Sequence, residues 1–492
     1  MTLAALLANS EPLTPVPSIP VSGLEYDSRK VGQGAVFFAF PGEHVDGHRY
    51  VSAARAAGAA AIVSERPPPA GDEGVWVQVR HGRQALAAAA LVFYDHPDER
   101  LRLIGITGTN GKTTTAHLAD SILRAAGNKT GLVGTAGYRI GDRRLPAANT
   151  TPESLDLVRL LVELETGSGT HMTLEASSHA LELGRISGFH FDTAVFTNLT
   201  QDHLDFHGDM DAYFRAKRML FEGNGPRPRA AVINADDAQG RRLLEIEGVE
   251  SFSFSMQGAA DIRAVEAESN FDGLKIRVAT PQGDAVLHSP LVGWFNVANI
   301  LAAVGVGLAQ GIDLMKIAQG IEKCSAVPGR FEIVREGQPF LVAVDYAHTD
   351  DALRNLISAA RRLVPAGGRI LTVFGCGGDR DRTKRPLMGA AAGELSDRVI
   401  LTSDNPRSED PLRILADAEV GLQRVDADYI REPDRRKAIA KALSEAAAGD
   451  IVLIAGKGHE TYQQVGDEKL PFDDRETARE LLREIAHGRR AG

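Results

Sequence analysis

The stretch from Leu103 to Thr115, LIGITGTNGKTTT, constrains the chain more than any other. An apolar run of Leu103, Ile104 and Ile106 passes into Gly108-Thr109-Asn110-Gly111-Lys112-Thr113. A helical pattern of Ala116, Leu118, Ile122 and Leu123 follows and closes at Gly127. Strand, glycine loop and helix in that order aim backbone N–H groups and a helix N-terminus at one place, which suits a polyphosphate. The glycines would let backbone N–H groups approach the phosphates of a nucleoside triphosphate, Lys112 would reach the terminal ones, and Thr113 would offer its hydroxyl to Mg²⁺. The usual spacing has a glycine where Ile106 stands, so this is a shortened variant of the phosphate loop. An ordinary glycine-rich turn is the alternative, and Gly-Lys-Thr after an apolar strand speaks against it.

At 492 residues the chain is too long for one core and suggests about three domains. With 24% charged and 43% hydrophobic residues it has the composition of a globular α/β protein. A formal charge of −10 argues against a nucleic-acid surface, which needs clustered lysine and arginine. The two cysteines, Cys324 and Cys376, are far apart and fit a reducing compartment. The N-terminus lacks the basic region of a signal peptide, and the longest apolar run, Ala85 to Tyr94, is too short to span a bilayer. A cytoplasmic monomer with no membrane insertion is the expectation.

The predicted boundaries are 1–98, 99–333 and 334–492. The first stretch alternates strand-like and helix-like runs: Ala35 to Phe40, Tyr50 to Gly58, Ala59 to Ser64 and Gly82 to Tyr94. Its polar clusters, Tyr26-Asp27-Ser28-Arg29 and Glu43-His44-Val45-Asp46-Gly47-His48, would be turns and caps if taken alone. The second stretch predicts a parallel-rich sheet whose strands His171 to Ala176, Thr193 to Thr197 and Ala230 to Ile233 end in polar residues. The third predicts a Rossmann-like, doubly wound sheet from Phe340 to Val344, Arg369 to Phe374, Arg398 to Leu401 and Asp450 to Ile454. Their tips carry Asp345-Tyr-Ala-His348, Gly375 to Arg380, Ser403 to Arg407 and Gly456 to Glu460. In open parallel sheets ligands bind at that edge.

Glu175, at a strand end, can serve Mg²⁺ together with Thr113, and His203, between Asp202 and Asp205, can touch the metal directly or through water. Lys217 lies on an amphipathic helical pattern. A solvated face is its plain reading; capture of CO₂ as an anionic carbamate by a lysine of lowered pKa is the sharper one, and sequence alone does not favour it. In the last stretch Arg380 and Arg407 offer planar forks for carboxylates, while Asp404, Asn405 and Glu460 offer acceptors for an ammonium group. Asp404-Asn405-Pro406-Arg407 could equally be a type I turn.

Thr107 to Thr113, Glu175 with Ser177-Ser-His179, Asn198 to His203, Lys217, Phe295-Asn296 to Asn299, Gly329-Arg330-Phe331-Glu332 and Asp345 to His348 together resemble the Mur ligases, the ATP-dependent amide-forming enzymes of peptidoglycan precursor synthesis. The likeness runs from about residue 22 to 476 in the family's order. Asp404-Asn-Pro-Arg407 is similar to the signature of members that add meso-diaminopimelate to UDP-N-acetylmuramoyl-L-alanyl-D-glutamate (UDP-MurNAc-L-Ala-D-Glu); lysine-adding members differ at the arginine.

The resemblance implies roles position by position. Tyr26, Ser28, Glu43, His44 and Val45 would meet the uridine end of the nucleotide-sugar substrate, and Asn149, Thr150, Thr151, Ser177 and Arg185 its muramoyl-dipeptide part. Gly108 to Thr114 would bind ATP with Asn299 and Arg330. Lys217 would be carbamylated and, with Thr113, Glu175 and His203, near the metal. Lys112, Lys217, His203, His348 and Arg330 would be catalytic. Arg380, Asp404 to Arg407, Gly456 and Glu460 would hold diaminopimelate. Two positions depart from the family pattern: Thr349-Asp350, where relatives have Thr-Pro, and Leu183, where some have a glutamine. The rivals are a lysine-adding sibling, a folylpolyglutamate synthetase-like ligase, and an ATP-binding switch or scaffold without amide chemistry.

Overall fold

The computed structural model describes residues 1–42, 45–223 and 225–491, with side chains as far as residue 486. The expectations for Glu43 and His44 lie outside the described residues. The chain divides into two compact units, the first of residues 1–265, 278–285 and 298–321, the second of 266–277, 286–297 and 322 onward.

In the first unit β1 (Gly23–Glu25), β2 (Ala35–Ala39), β3 (Ala61–Ser64) and β4 (Val75–Gln78) pair in parallel in chain order. Every residue of β2 and β3 is buried, as expected of strands covered on both faces. A second sheet is built on β5 (Arg102–Thr107). Its other strands are β6 (Thr130–Gly134), β7 (Gly137–Ile140), β8 (Arg143–Leu145), β9 (His171–Glu175), β10 (Thr193–Phe196), β11 (Ala230–Asn234) and β12 (Glu250–Ser255), in the order β12-β11-β10-β5-β9-β6-β7-β8. All pairs are parallel, β6 with β9 included, except β6 with β7 and β7 with β8, which are antiparallel. Registers of Ile106 with Glu175 and of Thr107 with Phe196 bring the carboxyl ends of β9, β5 and β10 side by side. The Gly-Lys-Thr loop, Glu175 and the segment after Phe196 therefore share one edge. β13 (Ile262–Asn270) pairs with the end of β12, and β14 (Gly273–Thr280) and β15 (Gly283–Ser289) follow; reading by apolar runs does not predict these half-exposed strands.

In the second unit β16 (Glu332–Val334), β17 (Leu341–Asp345), β18 (Ile370–Phe374), β19 (Arg398–Leu401), β20 (Tyr429–Arg431) and β21 (Ile451–Ala455) form a sheet of order β16-β17-β21-β18-β19-β20, parallel except for β16. Successive side chains point to opposite faces. Leu341 and Ala343 join a core with Leu353, Ile357, Met388 and Ile414, whereas Val342 and Val344 join one with Ile439, Leu443, Ala478 and Leu482. Helices cover both faces, the doubly wound arrangement the apolar runs predict. Because β21 returns between β17 and β18, the tips after β17, β18, β19 and β21 gather on one edge. A hairpin, β22 (Tyr462–Val465) with β23 (Glu468–Pro471), follows. Among the described residues no helix is long and apolar enough to cross a membrane.

Candidate active site

Gly108 and Gly111 hold left-handed backbone, φ 145° and 86°, which favours glycine. Space forbids a side chain as well: a Cβ on Gly108 would stand 1.9 Å from Thr197 Oγ1, and one on Gly111 2.3 Å from Asn299 Oδ1. The loop is held from its neighbour strand, since Asn110 N donates to Asn198 Oδ1 and Thr109 N to the Asn198 carbonyl, both at 2.9 Å. The helix Lys112–Ala125 starts there, with Thr113 and Thr114 buried in its first turn. Lys112 Nζ lies over the cradle and donates to the carbonyls of Gly108 and Thr109. Thr115 Oγ1 reaches Asn299 Oδ1 at 3.4 Å, which puts Asn299 at the same turn.

Glu175 is 1% exposed. Its Oε2 accepts from Thr113 Oγ1 at 3.0 Å and Thr135 Oγ1 at 3.2 Å, and its Oε1 from Thr135 N at 2.9 Å. These donors are neutral, and a carboxylate oxygen next to the phosphate loop is the donor chemistry a hard divalent cation takes. Among the described residues no three His, Cys, Asp or Glu converge as a preformed metal centre.

Lys217 sits on the inner face of the helix Met210–Glu222 and is 1% exposed, although its neighbours Arg215 and Arg218 are charged. Nζ donates to the Gly108 carbonyl at 2.8 Å and lies 4.4 Å from the Tyr213 ring centroid. Burial, then the charge of Lys112, pushes its pKa well below that of an ordinary lysine. The solvated-face alternative is removed by this burial, and the amine stands against the phosphate loop. His203 opens the short helix Leu204–His207 with left-handed backbone, φ 53°. Its ring lies 4.8 Å from that of His179 and 6.1 Å from that of Tyr213. Burial lowers its pKa against the opposing pull of Asp202.

On the same unit Thr151 Oγ1 donates to the Glu175 carbonyl, Ser177 N donates to Thr151 Oγ1, and Arg185 Nη1 donates to the Thr151 carbonyl. Thr150 Oγ1 is 3.1 Å from Thr135 Oγ1, and the Asn149 carbonyl accepts from Tyr138. Asn149, Thr150, Thr151, Ser177 and Arg185 are thus within one hydrogen-bonded patch beside Glu175. Tyr26 donates to Asp156 and stacks on Phe40; Ser28 is half-buried and Val45 exposed. Sequence reading passes over Arg83 and Glu153, whose ion pair at 3.1 Å, with a second one from Arg185 to Glu153, joins this patch to the helix Gly82–Phe93.

In the second unit Asp404, Asn405 and Pro406 are buried at the tip of β19, and Arg407 has φ 50°. Arg407 Nη1 donates to the Gly378 carbonyl at 2.6 Å, tying its fork to the tip of β18; Arg380, on that tip, is exposed. A Cβ on Gly456 would meet Asp404 Oδ2 at 2.5 Å, so the glycine lets the β21 tip approach Asp404. Asn405 Nδ2 donates to Glu460 Oε2. Arg330 lies 5.3 Å from the Tyr346 ring centroid, and exposed His348 turns Nδ1 to the Tyr346 carbonyl at 2.8 Å. Thr349 caps the helix Asp350–Arg361 by accepting from Ala352 N. Asp350, the departure from Thr-Pro, occupies the first helical position, where a carboxylate suits the helix dipole. Sequence reading passes over fully buried Lys457, which donates to Asn405 and Glu460; its signal is the Lys457-to-Glu460 spacing of three.

A fold of this kind, with a Gly-Lys-Thr loop and a doubly wound second unit, defines a nucleotide-dependent α/β enzyme. Residues 106–307 match the Mur ligase middle domain, 329–458 the Mur ligase, glutamate ligase domain, and 20–94 the Mur ligase family, catalytic domain. The chain belongs to the Mur ligase family and is an ATP-dependent amide ligase. It is 55% identical over 488 residues to UDP-N-acetylmuramoyl-L-alanyl-D-glutamate–2,6-diaminopimelate ligase of Solibacter usitatus (strain Ellin6076), covering 98% of each chain. It is 47% identical over 469 residues to the enzyme of that name from Geobacillus thermodenitrificans (strain NG80-2), covering 94% of this chain and 95% of the other. A solved structure of an enzyme with that name shares 35% identity, covers 99% of both chains and has a TM-score of 0.70.

Proposed function

We propose that the chain joins meso-diaminopimelate to the γ-carboxylate of the D-glutamyl residue in UDP-MurNAc-L-Ala-D-Glu, consuming ATP and releasing ADP and phosphate. The observation that carries this is that neighbouring strand tips hold Arg407, whose guanidinium donates to the Gly378 carbonyl, and Asn405, whose amide donates to Glu460 Oε2. A fork for a carboxylate stands next to acceptors for an ammonium, which suits an amino acid with both groups at its far end. Similarity to relatives of that name supports the same substrates.

A carboxylate is unreactive toward amines. Its oxygen would attack the γ-phosphorus of ATP, forming an acyl phosphate and expelling ADP; the amine would then attack the acyl carbon, lose a proton and expel phosphate. Lys112, Asn299 and the N–H groups of Gly108 to Thr114 would hold ATP, with Lys112 stabilising charge on the transferring group. Arg330 would reach the same nucleotide, and His203 and His348 would order the reacting groups. Thr113, Glu175, His203 and Lys217 would hold Mg²⁺, which supplies charge neutralisation.

Lys217 would take part as a carbamate. Its neutral nitrogen forms the bond to the carbon of CO₂, one C=O bond becomes C–O⁻, and a proton leaves the nitrogen. The depressed pKa supports this, because the unprotonated amine is the form that adds to CO₂. Loss of turnover in Lys217→Ala with recovery on adding a small carboxylate is expected; turnover undiminished in the variant refutes it.

Tyr26, Ser28 and Val45 would meet the uridine end, with Glu43 and His44, and the patch of Asn149, Thr150, Thr151, Ser177 and Arg185 the muramoyl dipeptide. Arg380 and Pro406 would complete the amino-acid end with Gly456. The expected domains, 1–98, 99–333 and 334–492, would act together as a monomer in the cytoplasm.

Phosphate release with the UDP-muramoyl dipeptide, ATP and either meso-diaminopimelate or lysine is the test. Strong preference for meso-diaminopimelate is expected. Equal or reversed preference refutes the amino-acid assignment, and release with neither refutes the dipeptide substrate.

A further inference from the structure

Lys457 is fully buried in the second unit, at the base of the tip that follows β21. Its Nζ donates to Asn405 Oδ1 at 3.0 Å and to Glu460 Oε2 at 2.9 Å, and lies 5.5 Å from the Tyr462 ring centroid. Asn405 Nδ2 donates to the same Glu460 Oε2 at 2.8 Å, and Gln464 N donates to Asn405 Oδ1 at 2.9 Å. Two donors on Oδ1 fix which way the Asn405 amide faces. Two donors on Oε2 hold one side of the Glu460 carboxylate, leaving Oε1 to look the other way. Burying an ammonium is costly unless it is paired, and an apolar residue would fill the same space without that cost. The lysine is spent on the orientation of two acceptors.

We propose that Lys457 is a positioning residue for the amino-acid substrate: together with the Asn405 amide that it orients, it sets the Glu460 carboxylate to receive the substrate's ammonium group, while Lys457 does not touch the substrate. This rests on the proposed assignment of these tips to the amino acid. Sequence separation hides the arrangement, because Asn405 and Lys457 are 52 residues apart.

The test is steady-state kinetics of the full-length enzyme carrying Lys457→Met. Loss of a hydrogen bond to a charged group should raise KM for meso-diaminopimelate about tenfold or more. KM for ATP and for the UDP-muramoyl dipeptide should stay within about twofold, a split that general loosening of the fold would not produce. An unchanged KM for the amino acid, or a common rise in all three, overturns the proposal. If the variant does not fold, a crystal structure of the wild-type enzyme with meso-diaminopimelate decides. The ligand's nitrogen should be hydrogen-bonded to Glu460 with Lys457 still joined to Glu460 and Asn405; a ligand bound directly to Lys457, or away from Glu460, overturns it. Should the wild type use another amino acid instead, the substrate assignment fails by itself, and the role of Lys457 is read from the KM of that amino acid.

Discussion

Gly134 ends β6 against Glu175, and replacing it with alanine displaces that carboxylate without altering a single proposed ligand. A Cβ there would stand 2.1 Å from Glu175 Oε1, 2.8 Å from Cδ and 2.9 Å from Cγ, whereas ordinary contact begins at 3.4 Å. The carboxylate must therefore move by at least the 1.3 Å between 2.1 and 3.4 Å. Its bonds from Thr113 Oγ1, Thr135 N and Thr135 Oγ1 are 2.9 to 3.2 Å long, so the shift breaks one or two of them. Each is a hydrogen bond to a charged group, and the loss should cost about 2–4 kcal/mol of stability. Misplacing a reacting or metal-holding group by about 1 Å costs on the order of a hundredfold in turnover. Phosphate release measured against Mg²⁺ concentration, with a thermal melt alongside, should show kcat down about a hundredfold and half-saturation by Mg²⁺ up at least about tenfold. A folded variant with wild-type Mg²⁺ dependence and turnover would refute the assignment of Glu175 to the metal.

Lys112→Ala should abolish turnover while the melting temperature stays within a few degrees, because the amine's hydrogen bonds to Gly108 and Thr109 are local to the loop; retained turnover would end the phosphate-cradle assignment. Arg407→Ala should reduce the preference for meso-diaminopimelate over lysine by at least about tenfold, measured as the ratio of kcat/KM values, and an unchanged ratio would move the carboxylate contact elsewhere. His171 has its pKa pushed down to about 4, first by burial and then by Arg102. Between about pH 6.5 and 4 the unfolded chain therefore binds the proton and the folded chain does not, so stability should fall as pH drops through that window, by up to about 1.4 kcal/mol per pH unit. His171→Gln should flatten that slope in denaturant titrations; an unaltered slope would show that His171 does not carry it.

Much of the fold is legible because its central strands are apolar runs closed by polar tips. Arg398 to Leu401 forms a strand with the predicted ends, and Leu341–Asp345 lies one residue along from the predicted run. β13 to β15 escape because half-exposed strands mix charged and apolar residues and carry no continuous run. At the site, residues that share a loop were readable, as with Gly108 to Thr114. Residues whose environment depends on distant chain were not. Lys217 reads as a surface lysine until its helix packs against the Gly108 carbonyl, 109 positions away, and Tyr26 gives no hint of Asp156, 130 positions away. Burial, which changes what a lysine can do, has no signature within its own few residues.

Arg435 and Asp474 form a fully buried ion pair, and the same guanidinium donates to the carbonyls of Ser403 and Ala455. Those carbonyls belong to the segments leading into Asp404 and Gly456, so the first residue of the C-terminal helix underpins the amino-acid end of the site. Removal of one partner of a buried pair costs about 3–5 kcal/mol. Shortening the chain to before Asp474 would orphan Arg435 and release both segments, even though nothing in the deleted piece is expected to touch a substrate. Anyone trimming this enzyme for crystallisation or fusing a reporter to its tail should therefore treat Asp474 as the inner limit of what can be cut away.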